Sequence, residues 1–179
     1  MRIETLVVGE LATNTYLLFD DTNKEVLIVD PGDEADRIID AIEGYKLLGI
    51  LVTHTHDDHI GAIPAITDKF KCNIYDKYNL EEGDYNIGNF KFNVIYAPGH
   101  IEDELVYYFK EYNLMFVGDF IFKNSIGRVD LEGGNFLQMI ESIKMILTYD
   151  ENITLYPGHG DKTTLKDEKN NLNYFLTIL

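Results

Sequence analysis

Five histidines and two aspartates carry the chemistry this sequence has to offer. Three of the histidines fall in His54-Thr55-His56-Asp57-Asp58-His59, and the other two stand in Pro98-Gly99-His100 and Pro157-Gly158-His159-Gly160. Asp119 follows an apolar run, in Val117-Gly118-Asp119. On an extended segment residues i and i+2 point to the same side, so His54 and His56 can converge on one ion. A turn into a helix after them redirects Asp58 and His59, which can then serve a second ion beside the first. Imidazole suits zinc and iron, and carboxylate can ligate or bridge, so this set has the chemistry of a metal centre. His100, Asp119 and His159, arriving from other strand ends, would close both sites. Taken singly, each has a plainer reading: a solvated acidic loop for 54–59, a strand-capping turn for His100, a tight turn around His159, and a turn or helix cap for Asp119. Those readings would all have to hold together, with every histidine beside a strand end or a glycine and none on the apolar stripe of a helix. Asp57, between ligand candidates, is expected to face solvent or to cap the helix.

The elements that must position these groups are legible in the hydrophobic pattern. Arg2–Val8, Thr15–Phe19 and Val26–Val29 are rich in branched and aromatic residues and read as strands, with Asp20-Asp21-Thr22-Asn23 as a hairpin turn. Ile38, Ile39 and Ile42 give a helix between Asp33 and Glu43, and Leu48–Thr53 is a continuous apolar run, as in a strand buried on both faces. Ile60, Ile63 and Ile66 predict one helix over Asp58–Phe70, with Pro64 tolerable only near its first turn. The stretch from Asn73 to Phe116 is β-rich, and Ile153–Tyr156 is a short strand. Phe136, Met139, Ile140, Ile143, Ile146 and Leu147 form an apolar stripe over three helical turns. Leu165, Leu172, Phe175, Leu176 and Leu179 predict a C-terminal helix with one apolar face. Without a low-complexity linker, tandem repeat or shift of composition, residues 1–179 are expected to form a single α/β domain.

Composition narrows the partners. The chain has 179 residues, with 15 Lys+Arg against 31 Asp+Glu, for a formal charge of −16. That balance excludes general nucleic-acid binding, which needs cations to replace phosphate counterions, and docking on anionic membranes. A 45% apolar fraction is ample for a core. The single Cys72 cannot form an internal disulfide, and Met1-Arg2-Ile3-Glu4-Thr5 lacks the apolar region of a signal peptide. The apolar runs are too short to span a bilayer. A soluble, cytoplasmic enzyme with a small-molecule substrate is the expectation; oligomeric state is open.

The ordered set His54-x-His56-x-Asp58-His59, His100, Asp119 and His159 resembles the metallo-β-lactamase superfamily. Val29-Asp30-Pro31-Gly32 is similar to the segment before that family's first helix. Gly118-Asp119, followed by Ser125-Ile126-Gly127-Arg128-Val129-Asp130-Leu131 and Gly133-Gly134, resembles its glyoxalase II-like branch. The resemblance runs from about Asn14 to the helix beyond Gly160. It implies an αββα sandwich, two mixed sheets flanked by helices, with the metal site at one edge. It also implies two divalent ions, zinc first and iron or manganese as alternatives. His54, His56 and His100 would hold one ion, Asp58, His59 and His159 the other, and Asp119 would bridge both. Aspartate at 119, where β-lactamases of the best-known class resemble a cysteine pattern, makes antibiotic hydrolysis a poor fit. The implied mechanism is attack on a carbonyl by a metal-bridging hydroxide that Asp58 and Asp119 hold and orient, with a metal ion as Lewis acid for the oxyanion. A thioester suits such a site, because a thiolate leaves with little need of a proton donor. Asp30 and Thr53 are candidates for orienting ligand histidines from behind, although Asp30 could equally cap the helix after Pro31-Gly32.

Two features depart from the glyoxalase II pattern. Only 20 residues follow His159, so the helical domain that supplies glutathione-binding cations is not expected; Lys162, Lys166 and Lys169 are taken for a solvated face. The usual small-residue turn after the fourth histidine is replaced by Ile101-Glu102-Asp103-Glu104. That segment is expected to be a solvated loop, and pointing inward it would repel an anionic thioester. The competing functions are lactone or phosphodiester hydrolysis on the same fold, persulfide dioxygenation at one iron, and a non-enzymatic metal-binding protein.

Overall fold

Asp20 begins the chain reversal on which the first sheet depends. Its carboxylate accepts the N–H groups of Thr22 and Asn23. The antiparallel pair β1 (Arg2–Val8) and β2 (Thr13–Asp20) is thereby joined by β3 (Glu25–Val29). Helix α1 (Ala35–Ala41) crosses to β4 (Lys46–Leu51), parallel to β3. Helices α2 (Asp57–Ile60) and α3 (Ile63–Phe70) cross to β5 (Asn73–Tyr75), parallel to β4. The mixed sheet runs β1-β2-β3-β4-β5. Ile38, Ile39, Ile42, Ile63 and Ile66 from the two crossovers pack on Leu17, Phe19, Val26, Ile28 and Ile50. Successive residues Ile50, Leu51 and Val52 are all buried. Both strand faces are therefore covered, which is why this segment shows an apolar run instead of an alternation.

The computed structural model describes residues 1–178, which divide into two compact units: 1–80 with 86–90, and 81–85 with 91–178. The second carries most of β6 (Gly83–Ile87) and β7 (Phe90–Tyr96), all of β8 (Leu105–Phe109) and β9 (Leu114–Gly118), then the ribbon β10 (Ile121–Phe122) and β11 (Ser125–Ile126). Helix α4 (Phe136–Ile146), β12 (Thr154–Pro157), β13 (Thr163–Thr164) and α5 (Leu165–Ile178) follow. The sheet order is β13-β12-β9-β8-β7-β6, with β12 parallel to β9. Met139, Ile143, Ile146, Leu165 and Leu172 cover Ile95, Val106, Met115, Val117 and Leu155. Each unit thus supplies one sheet and its helices. No helix among the described residues is long and apolar enough to cross a membrane.

Three element readings change. The helix expected over Asp58–Phe70 is two helices. Ala62 spends its N–H on the Pro31 carbonyl, outside the helical ladder, and Pro64 falls within the first turn of α3. The strand expected to reach Thr53 ends at Leu51, and the Thr53 N–H turns to the Asp30 carboxylate. Phe136 is exposed and does not belong to the buried stripe of α4; the helix starts there, capped by Asn135, whose side chain accepts the Gln138 N–H. Leu179 lies outside the described residues.

Candidate metal centre

In the first unit the chain leaves β4, bends at Thr53, and enters α2 after His56, whose backbone is extended. The i, i+2 pair behaves as its spacing predicts: His54 Nε2 and His56 Nδ1 are 3.1 Å apart. A buried network stands behind these rings. Asp30 accepts the Thr53 N–H at 2.7 Å with one oxygen and the Thr53 hydroxyl at 2.6 Å with the other. That second oxygen is also 3.0 Å from His59 Nδ1, and the Thr53 hydroxyl is 3.1 Å from His54 Nδ1. Since the hydroxyl proton goes to Asp30, the Thr53 oxygen receives the His54 Nδ1–H, and Asp30 receives that of His59. Nδ1 of each ring thus faces this network, and Nε2 is the nitrogen that would bind a cation, the arrangement found behind metal-bound imidazoles. His59 Nε2 lies 3.6 Å from Asp58 Oδ2, which accepts the Thr13 hydroxyl at 2.8 Å.

Backbone packing permits this arrangement. A Cβ on Gly32 would stand 1.7 Å from the Asp58 carbonyl oxygen, so only glycine lets the 30–32 segment seat against α2. Helix α1 starts at Ala35 with Glu34 as its N-cap residue, which leaves the Asp30 side chain on Thr53 and His59 instead of on the helix. Asp57 is exposed, as its place in the motif suggested.

The second unit brings three further candidates to the ends of β7, β9 and β12. His100 follows β7, and the two residues before it are tied to α4 and its cap: Ser142 donates to the Pro98 carbonyl, and Asn135 N–H to that of Gly99. His100 Nδ1 donates to the Arg128 carbonyl at 2.8 Å, and Nε2, the nitrogen that would face a cation, is 3.7 Å from Asp119 Oδ2. His159 Nε2 is 3.5 Å from the same oxygen. The Gly158 N–H, bonded to the Gly118 carbonyl at 2.7 Å, holds the two loops together. Gly127 is a second position that tolerates no side chain: its Cβ would meet the Asp119 carbonyl oxygen at 1.9 Å. Arg128 pairs with Asp130 at 2.8 and 2.9 Å, and this hydrogen bonding holds the Asp130 carboxyl at about 2.

These distances suit cations. Two donors bound to one tetrahedral ion at about 2.1 Å each stand roughly 3.4 Å apart. The separations of 3.1, 3.5, 3.6 and 3.7 Å bracket that value. The donor set is imidazole and carboxylate, borderline-to-hard chemistry that fits zinc, iron or manganese.

The segment after His100 differs from its expected form. Glu102 is exposed, but Asp103 is 4% and Glu104 1% exposed. The Asp119 N–H donates to Glu104 Oε1 at 3.3 Å, so the tertiary fold offers this carboxylate a donor that the local sequence does not reveal. Lys162, Lys166 and Lys169 are exposed, as expected. Sequence reasoning missed Thr13, Glu104 and the Arg128 carbonyl. Thr13 had a signal in the polar run Thr13-Asn14-Thr15 within an otherwise apolar strand, all of it buried; a main-chain carbonyl has none.

Sheets, helices and donor set define a metallohydrolase-type protein, and the sequence profile of the Metallo-beta-lactamase superfamily matches residues 8–79 and 75–159. The chain belongs to that superfamily. It is 32% identical to the probable metallo-hydrolase YqgX of Bacillus subtilis, over 94% of this chain and 95% of that one. It is 30% identical to the hydroxyacylglutathione hydrolase GloC of Haemophilus influenzae, with the same coverage. Among solved structures it is similar to BLEG-1 B3 metallo-beta-lactamase, with TM-score 0.91, 32% identity, and 98% and 100% of the two chains covered. TTHA1623 in a di-iron-bound form gives 0.85, 28%, and 94% and 98%. ETHE1 from Myxococcus xanthus gives 0.90, 26%, and 99% and 85%.

Proposed function

We propose that this protein is a binuclear metallohydrolase that cleaves a small acyl thioester to an acid and a thiol. In this reading His54, His56 and His100 hold one divalent ion, Asp58, His59 and His159 a second, and Asp119 is shared. The observation that carries it is the Asp119 carboxylate oxygen within 3.7 Å of His100 Nε2 and 3.5 Å of His159 Nε2. Support also comes from the superfamily match, which spans every one of these positions. When bound, such ions supply a water with pKa near 7 and a Lewis acid for a carbonyl oxygen.

The chain's own residues do the rest. Asp30 and Thr53 hold His59 and His54 in the tautomer that binds through Nε2. The Arg128 carbonyl does so for His100. Asp58, anchored by the Thr13 hydroxyl, orients the attacking water. The thiolate leaves without a proton donor, which favours a thioester over an ester or amide. GloC, a relative named as a hydroxyacylglutathione hydrolase, supports the same bond class. Zinc is the proposed metal, and the likeness to a di-iron-bound structure keeps iron beside it.

The test is metal analysis of the purified protein coupled to hydrolysis of S-lactoylglutathione, other acyl thiols, lactones, phosphodiesters and a β-lactam. Two metals per chain and fastest turnover of a thioester are expected, with His56→Ala and Asp119→Asn each losing about a hundredfold or more in kcat/KM. Fastest turnover of another class would overturn the thioester assignment. One iron per chain with oxygen consumption would replace the hydrolase by a dioxygenase, and full activity in both variants would refute the mechanism.

A further inference from the structure

We propose that Glu104 is a positioning residue for the metal centre, holding the Asp119 turn so that the shared carboxylate oxygen faces His100 and His159. The inference rests on the reading of Asp119 as a ligand. Glu104 stands at the entrance to β8, four residues after His100, and its side chain is buried. Burying a carboxylate is unfavourable unless donors compensate it. One donor here is the Asp119 N–H, bonded to Glu104 Oε1.

Glu104 is also fixed through its main chain, where its carbonyl accepts the Ala97 N–H at 3.0 Å. Ala97 and Glu104 bracket the loop that carries His100. One residue is therefore bonded both to the root of the His100 loop and to the turn that carries Asp119. A shift of that turn would move Asp119 Oδ2 away from the two imidazole nitrogens it faces at 3.7 and 3.5 Å. Removing groups that orient metal ligands typically lowers metal affinity 10–100-fold.

The test is zinc affinity and stoichiometry of the full chain, measured by competition with a chromophoric chelator, with no assay of activity required. Glu104→Leu keeps the volume and removes the acceptor; Glu104→Gln keeps an acceptor oxygen at the same reach. Expected are two zinc ions in the wild type and a loss of about 10–100-fold in affinity for Glu104→Leu, with Glu104→Gln within about threefold of wild type. Should Glu104→Leu fail to fold, Glu104→Ser, too short to reach the Asp119 N–H, carries the same expectation. Wild-type affinity in the variant lacking the acceptor would overturn the inference, as would an equal loss in Glu104→Gln. A wild-type chain that binds no zinc, iron or manganese would instead overturn the metal-centre reading itself.

Discussion

Asp30 Oδ2 lies 3.0 Å from His59 Nδ1, and the same carboxylate takes both the N–H and the hydroxyl of Thr53. One aspartate at the end of β3 thereby sets a ring on α2 and, through Thr53, a ring beyond β4. Asp30→Ala would strand three buried donors, each worth about 1–3 kcal/mol when left without an acceptor. We expect destabilisation of roughly 3 kcal/mol or more in urea unfolding, together with zinc affinity lowered about 10–100-fold. Unchanged zinc affinity in a folded Asp30→Ala protein would contradict the role given to it.

Gly32→Ala tests packing instead of chemistry. The added methyl would lie 1.7 Å from the Asp58 carbonyl oxygen, so α2 or the 30–32 segment must move. Overpacking of this kind destabilises by about 1–3 kcal/mol. Because α2 carries Asp58 and His59, thioester turnover should fall more than stability does. A variant with wild-type kcat/KM would show that α2 tolerates displacement.

Bound ions should also appear as stability. A ligand present at a hundred times its dissociation constant adds about 2.7 kcal/mol to the folded state. For a chain of this length each kcal/mol moves Tm by about 2–4 °C. Chelation followed by desalting should therefore lower Tm by about 10–20 °C for two ions, and zinc should restore it. Identical melting curves before and after chelation would argue against resident metal.

Glu168 provides the contrast. It is buried, and its carboxylate accepts the Thr163 hydroxyl at 2.6 Å and the Asn124 N–H at 2.8 Å, tying α5 to the turn of the β10–β11 ribbon. Glu168→Ala should unfold more easily by about 2 kcal/mol, yet bind zinc with wild-type affinity. A drop in affinity would mean that the ribbon turn, next to His159 through the Phe122 ring, helps to set the metal centre.

Much of the site was legible in the chain itself because its information is local. The spacing His54-x-His56 places two imidazoles on one side of an extended segment, and their nitrogens do approach to 3.1 Å. The placement of histidines beside strand ends follows from hydrophobic runs that stop where Pro-Gly or Asp begins. The sheet-forming segments were recognisable for the same reason, since alternation and continuous apolar runs are properties of short windows.

Burial and partnership at single polar residues were decided elsewhere. Glu102, Asp103 and Glu104 have equivalent polarity in sequence, yet two are buried and one is exposed. The donor to Glu104 is 15 residues away, and those to Asp30 are 23 and 29 residues away. The break between α2 and α3 likewise depends on the Pro31 carbonyl, which captures the Ala62 N–H. Residue type and spacing determined which groups could bind a metal and on which elements they ride. Which carboxylates stand behind them was decided only when β3, β4 and α2 packed within the first unit and the turns after β7 and β9 packed within the second. A buried charge is tolerated only where the fold delivers a donor to it, and local sequence does not specify that donor.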